Sequence, residues 1–268
     1  MGGSDTTYLG ACDNRGAGVA TMRMFLTSYQ KTGTHQAYPM FMPNCPMIEE
    51  RGHIQNLGMY EFIRRKNPGP LPTYVKTLDQ LRDFDSRAFG HIAYHPEYAA
   101  AIQSRPTKVI FNYRDPRDVI VAELEMIRKH IRAGTIHHAW HNYKRFSDEI
   151  RVIDRPNPIA ELIYIASIKW KNWIGWFDQD YVIPLKFEDL RLKPDETVAK
   201  LCQALKGCSL PKSPQSMVDA TKRGRIPGSQ VPTFRKGLVG EWKHYFTEKD
   251  SLLAKSLLGE ILARMGYA

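Results

Sequence analysis

The chain has 268 residues, enough for one large α/β domain or two small ones with a sizeable core, and its 43% hydrophobic and 25% charged content is that of an ordinary globular protein. Lysine and arginine exceed aspartate and glutamate by 38 to 28, a formal charge of +10 that suits a polyanionic ligand without choosing among nucleotide, nucleic acid and membrane surface. Cys12, Cys45, Cys202 and Cys208 form no C-x-x-C pair, and no apolar run approaches the ~18 residues that cross a bilayer, so the expectation is a reduced, soluble, cytoplasmic chain without a zinc site.

Residues 1–20 are rich in glycine and poor in large apolar side chains, which reads as a flexible arm or in part a cloning remnant; residues 21–268 read as one domain. Met22 to Leu26 is a short apolar run with the character of a buried parallel strand. It leads through Tyr29-Gln30 into Lys31-Thr32-Gly33-Thr34 and a helix start at His35. Strand, glycine turn and helix N-terminus together aim backbone N–H groups and the positive end of a helix dipole at one spot, where Lys31 adds a full charge. The spacing is not the G-x-x-x-x-G-K-[ST] of a Walker loop, and K-x-G-T alone also fits an ordinary turn. Pro39 and Pro43 predict that the following helix is short or kinked.

Helices are expected over Ile54–Arg65 and near Leu78–Phe84, then Glu97–Gln103, before a second strand at Lys108–Tyr113. The next junction is explicit. Arg114 ends the strand, Asp115 can cap, Pro116 takes the first helical position and Asp118 the first turn. Val119, Ile120, Leu124, Ile127 and Ile131 mark one apolar face, and Gly134 marks the stop. Arg114 beside a capped helix is a second anion-ready terminus, or else it pairs with Asp118. His137 and His141 have H-x-x-x-H spacing, but the Glu of H-E-x-x-H is absent and no third ligand stands nearby, so an amphipathic lid or helix is preferred to a metal site. Glu161–Phe177 reads as an apolar helix whose Trp170, Trp173 and Trp176 pack a core. Tyr181–Phe187 is a third strand, Glu188-Asp189-Leu190 a turn, and Asp195–Leu205 a helix. Lys222–Pro232 is a basic surface loop, and Ser251–Met265 an amphipathic helix. Strands alternating with helices predict an α/β single domain with a central parallel sheet and ligands at the strand ends.

Four segments in this order resemble the cytosolic-type sulfotransferases that use 3′-phosphoadenosine 5′-phosphosulfate (PAPS). Tyr29-Gln-Lys31-Thr-Gly-Thr34 is similar to that family's Y-P-K-S-G-T-T-W, and Tyr113-Arg114-Asp-Pro-Arg-Asp118-Val to its R-N-P-R-D-V. Lys186-Phe187-Glu188-Asp189-Leu190 is a variant of Y-E-D-L. Arg235-Lys236-Gly237-Leu-Val-Gly240-Glu-Trp242-Lys243-His-Tyr-Phe246 is similar to R-K-G-x-x-G-D-W-K-N-x-F, the most specific of the set. The resemblance spans residues 22–247 and implies a P-loop-like nucleotide site with PAPS as co-substrate, PAP as product, a small-molecule acceptor and no metal. It assigns Lys31, Thr32, Gly33, Thr34 and His35 to the 5′-phosphosulfate. Arg114, Arg235, Lys236 and the N–H of Gly237 fall to the 3′-phosphate, and Phe187, Thr221 and Arg223 to the nucleoside. Lys31 would stabilise charge on the leaving phosphate. The base, a histidine in that family, maps to His91, with His95 the runner-up and a structural role for His91 the alternative.

The chain departs from the pattern at Phe89, where the family has Lys, and at Ala122, where it has Ser. Gln36 replaces an adenine-stacking Trp, Phe187 replaces Tyr, and Arg223, which can stack through its guanidinium plane, replaces an aromatic. The dimerisation pattern K-x-x-x-T-V-x-x-x-E is half present, at Lys243, Thr247 and Glu248, so that dimer is not expected and the oligomeric state stays open. The acceptor rests on a general likeness to small bacterial enzymes that sulfate guanidinium alkaloids such as saxitoxin; no motif anchors it. If the acceptor is cationic, Glu49, Glu50, Glu123 or Glu125 are candidate partners, each otherwise a solvated charge. A P-loop kinase lacks its full Walker loop here and an apolar strand ending in Asp. A nucleic-acid binder lacks a clustered basic recognition motif.

Overall fold

The computed structural model describes residues 22–41, 47–48, 72–134, 147–210, 212–223 and 237–267. At its centre lies β1 (Arg23–Ser28), buried at all six positions. With β2 (Met47–Ile48), β3 (Arg87–Gly90), β4 (Thr107–Tyr113) and β5 (Val182–Lys186) it forms a five-stranded, wholly parallel sheet in the order β2-β3-β1-β4-β5. The expected parallel α/β architecture holds. β1 itself extends two residues past the expected apolar run, because Thr27 and Ser28 stay in register with Phe111 and Asn112 of β4.

Ten helices are described: α1 (Thr34–Phe41), α2 (Pro72–Asp83), α3 (Pro96–Ile102), α4 (Pro116–Arg132), α5 (Ser147–Val152), α6 (Pro158–Lys171), α7 (Phe187–Leu192), α8 (Pro194–Ala204), α9 (Pro214–Arg223) and α10 (Glu248–Arg264). Side chains alternate across a strand, so β1 divides the core in two. Met24 and Leu26 pack with Ile110 of β4 against Met40 of α1, Leu201 of α8 and Met217 of α9. Phe25 packs with Val109 and Phe111 against α4, α6 and α10.

At the N-terminal end of β1, Arg23 is only 3% exposed, and no carboxylate among the described residues is hydrogen-bonded to it. Its guanidinium donates to Thr107 Oγ1 (3.0 Å) and to the carbonyls of Arg82 (2.8 Å), Phe84 (3.1 Å) and Ile102 (2.7 Å), and lies over the Phe84 ring. Those carbonyls cap the C-terminal ends of α2 and α3, where orphan acceptors and the negative end of the dipole favour a cation.

Several boundaries differ from expectation for identifiable reasons. β3 went unread because four residues ending in glycine carry too little periodicity. α2 starts at Pro72 rather than near Leu78, proline being at ease in a first turn. The apolar stretch after residue 158 ends as α-helix at Lys171. It continues through Asn172 into a 3₁₀ turn, Ile174–Asp178, so the three tryptophans stand on helix, connector and turn. Each is at most 1% exposed, as a core role requires. Phe187 opens a helix directly, so Glu188–Leu190 is not a turn. Ile131 is 38% exposed and leaves the apolar face of α4 one turn early. α10 begins at Glu248 rather than Ser251, since Thr247 and Asp250 form a reciprocal capping box. β5 is an edge strand, and Pro184, which lacks an N–H, sits exposed in it. The helix expected at Ile54–Arg65, the His137/His141 pair and most of the basic loop lie outside the described residues. No described helix is long and apolar enough to cross a membrane.

Candidate active site

In a parallel sheet the C-terminal ends of all strands open on the same edge, and a ligand crevice forms where the chain order reverses. Here the chain leaves β1, crosses to β2 and β3 on one side, and returns to β4 on the other. The loop after β1 carries Lys31, the segment after β3 carries His91, the residue after β4 is Arg114, and the residue after β5 is Phe187. Four residues far apart in sequence are thus brought to one edge by strand direction alone.

The loop after β1 is tightly braced. Thr32 is fully buried, its hydroxyl donating to the carbonyls of Tyr29 (2.7 Å) and Asn112 (3.1 Å), while Asn112 Nδ2 returns a bond to Thr32 O (3.0 Å). Thr34 Oγ1 meets Ser28 Oγ at 2.6 Å. Both hydroxyls therefore hold the loop, and its anion-binding capacity lies in the backbone N–H groups at the start of α1. Lys31 adopts φ +62°, rare for a residue with a Cβ, and Gly33 adopts φ +95°. Gly33 has no alternative: a Cβ there would stand 2.3 Å from Phe187 Cδ2. Phe187 is 2% exposed and underpins the loop, its ring also lying 4.7 Å from the Arg114 guanidinium carbon. α1 contains Pro39 and is eight residues long, short as expected.

His91 Nδ1 lies 2.7 Å from the Ser28 carbonyl, which can only accept, so the neutral ring carries its proton on Nδ1 and its basic lone pair on Nε2. Ser28 Oγ, 3.4 Å from the same nitrogen, connects the imidazole to Thr34 and the start of α1. His95 is differently employed: it is the N-cap of α3, its Nδ1 accepting from Glu97 N at 3.3 Å.

Arg114 is buried, and desolvation lowers its pKa. It donates to Leu238 O (2.7 Å) and Lys31 O (3.4 Å), and its Nη2 is 3.6 Å from Asp118 Oδ2. The pairing with Asp118 that the sequence allowed is therefore present, as a long contact. Its buried Nε has no hydrogen-bond acceptor among the described residues. An orphaned guanidinium donor is costly unless something else occupies it. Asp118 accepts from Gly240 N (2.8 Å) and Trp242 N (2.9 Å), pinning the segment that begins at Gly237 against the first turn of α4. Burial raises the Asp118 pKa, against the pull of the Trp242 N–H and Arg114. Gly237 has φ +59°. Arg235 and Lys236 lie outside the described residues, as do the side chains of His35, Thr221 and Arg223. Positions 221 and 223 fall in the last turn of α9, which packs on α1.

Sequence reading gave Glu123 only a conditional role. It is buried on α4 beside Glu149, whose carboxylate takes a 2.6 Å bond from Lys169. Burial, then the Glu149 charge, raises the Glu123 pKa well above 4.5, and Lys169, Lys31 and the Tyr29 hydroxyl offset part of this. His130, two turns along the same helix, has its pKa lowered by burial and by Lys31. The lysine after β1 thus looks onto one face of α4. Only three-dimensional packing reveals this, since Glu123 sits in no motif.

A sulfotransferase domain model matches residues 22–266, nearly the whole chain. The chain belongs to the sulfotransferase family. Among curated relatives, this sulfotransferase is 22% identical over 229 residues to flavonol 3-sulfotransferase of Flaveria bidentis, covering 73% of this chain and 69% of that protein. It is 20% identical over 260 residues to cytosolic sulfotransferase 6 of Arabidopsis thaliana, covering 85% and 71%. Its fold is similar to that of the mouse sulfotransferase SULT7A1, solved in complex with PAP, at TM-score 0.54 and 17% identity over 92% of this chain and 89% of that one. The protein is therefore a transferase, and a small-molecule kinase is not favoured. The braced loop, the histidine and the buried arginine share the C-terminal edge of the sheet.

Proposed function

We propose that this sulfotransferase takes its sulfuryl group from PAPS and delivers it to a hydroxyl, or to an amine or guanidinium nitrogen, of a small molecule. The observation that carries this reading is Arg114: a buried guanidinium with an unsatisfied Nε, joined through backbone carbonyls to both the Lys31 loop and the Gly237 segment. A phosphate on the ribose 3′ position supplies the missing acceptor. Gly237 and the flanking Arg235 and Lys236 would close around the same group, and Thr221 and Arg223 would meet the nucleoside. Backbone N–H groups of Thr32, Gly33, Thr34 and His35 would face the phosphosulfate.

Transfer is in-line. His91 Nε2 takes the acceptor's proton as its oxygen or nitrogen bonds to sulfur. The sulfur–bridging-oxygen bond breaks, and its electron pair passes to the phosphate of PAP, which Lys31 neutralises. Support for His91 over His95 comes from tautomer and employment: the former is held with Nε2 as the basic atom, the latter caps a helix.

Calorimetry with PAP and AMP tests the donor, with PAP expected to bind at least about tenfold tighter through one extra buried charged contact. Equal affinities overturn the reading. An acceptor screen by mass spectrometry, with guanidinium alkaloids of the saxitoxin type included, then assigns the second substrate.

A further inference from the structure

The β4–α4 junction that carries Arg114 is held from behind by a residue outside every motif and beyond the matched family domain. α10 ends in a tight turn in which Tyr267 N donates to Leu262 O (2.8 Å) and Gly266 takes φ +72°, turning the chain back onto the sheet. The Tyr267 hydroxyl then donates to Glu188 Oε2 at 2.6 Å, while the other oxygen of that carboxylate accepts the Asp115 backbone N–H at 3.1 Å. Tyr267 O accepts from Arg117 Nη2 (3.2 Å), and Arg117 in turn grips the Asp115 carboxylate through Nε (2.9 Å) and Nη2 (2.8 Å). Lys186 closes the ring: its Nζ donates to Gly266 O (3.0 Å) and sits 3.9 Å from the Tyr267 ring centroid.

We infer that Tyr267 is a positioning residue for nucleotide recognition, orienting Glu188 so that the turn at Asp115 presents Arg114 to the ribose 3′-phosphate. Asp115 is the next residue after Arg114, so the N–H that Glu188 holds belongs to the peptide link between them. A shift of that link moves the guanidinium directly. The clasp is polar but enclosed: Glu188 is 6% exposed, and burial next to that carboxylate keeps the phenol protonated, the form that can donate. This inference rests on the reading of Arg114 given above.

Tyr267→Phe removes one hydroxyl and keeps the ring over Lys186. Affinity for PAP should fall about fivefold or more, affinity for AMP less than twofold, and kcat at saturating PAPS should be unchanged. Glu188→Gln, which leaves only one acceptor oxygen, should lose PAP selectivity in the same way. The double variant should be no worse than the poorer single, because both act through one bond. Thermal melting establishes that each variant is folded. If wild type prefers PAP to AMP and Tyr267→Phe keeps that ratio, or loses both ligands in parallel, the positioning role is wrong and the donor assignment stands. If wild type itself shows no preference, the donor assignment fails and takes this inference with it.

Discussion

Gly33→Ala is the most direct probe of whether the loop after β1 is built as described. Two costs add. A side chain at φ +95° carries about 1–3 kcal/mol of backbone strain. The new Cβ would also lie 2.3 Å from Phe187 Cδ2 and 2.8 Å from Cε2. Carbon atoms rest near ~3.5 Å or more, so the ring must withdraw by roughly an ångström. At 2% exposure it has nowhere to go without displacing neighbours, and overpacking of that kind costs about 1–3 kcal/mol. The total, about 2–6 kcal/mol, compares with a whole-domain stability of about 5–15 kcal/mol. It appears either as lost stability or as a deformed loop with at least about thirtyfold weaker nucleotide binding. Denaturant unfolding and calorimetry with PAP read the two channels separately. Phe187→Leu in the Gly33→Ala background should recover the packing share and leave the backbone share. A Gly33→Ala protein within about 0.5 kcal/mol and twofold of wild type would refute the reasoning, and strict additivity with Phe187→Leu would refute the contact.

His91→Ala should abolish turnover while PAP binding stays within about twofold, because the ring serves the acceptor and not the nucleotide; Lys31→Ala should abolish turnover as well. Turnover that survives in His91→Ala moves the base to another group, and its pH–rate profile identifies which. Glu123→Gln should flatten the pH dependence of stability. The buried carboxyl titrates above its usual 4.5, so the folded chain holds that proton more tightly than the unfolded one. Its contribution is complete below about pH 4.5 and is lost as pH rises through the folded value. Between about pH 5 and pH 8 wild type should therefore lose more stability than Glu123→Gln, which never ionises. Denaturant midpoints across that range decide it, and parallel curves would show that Glu123 is already ionised at low pH.

Strand-turn-helix chemistry was legible at the two places where sequence speaks locally. Asp115-Pro116 at the head of α4 and the K-T-G-T turn after β1 are written in residues whose backbone preferences admit few alternatives, and both stand where expected. β3 and the capping box of α10 were not read, for opposite reasons. Four residues of β3 are too few to show a period, and Thr247–Asp250 displays its cap in polar residues that an apolar count passes over. Which way the Thr32 hydroxyl turns depends on Asn112, a residue that parallel pairing brings near but sequence does not. The buried carboxylates followed the same rule. Glu123 and Glu149 are 26 positions apart and separated by a stretch with no shared pattern, so their coupling exists only once α4 and α5 have packed.

The distribution of positive charge bears on the same point. A surplus of +10 is compatible with any polyanion, and as a sum it is uninformative. What narrows it is burial. Arg23 and Arg114 are 3% and 6% exposed and stand at opposite ends of the parallel sheet. At the N-terminal end, each of the three guanidinium nitrogens of Arg23 donates to an acceptor supplied by the chain itself. At the C-terminal end, Arg114 is similarly buried, and its Nε finds no acceptor among the described residues. Two guanidiniums of similar exposure differ in their hydrogen-bond accounts, and that difference supports the proposed reading of Arg23 as structural and Arg114 as binding. On the function proposed above, a ribose 3′-phosphate that occupied that remaining donor would give a doubly phosphorylated nucleotide its advantage over a singly phosphorylated one.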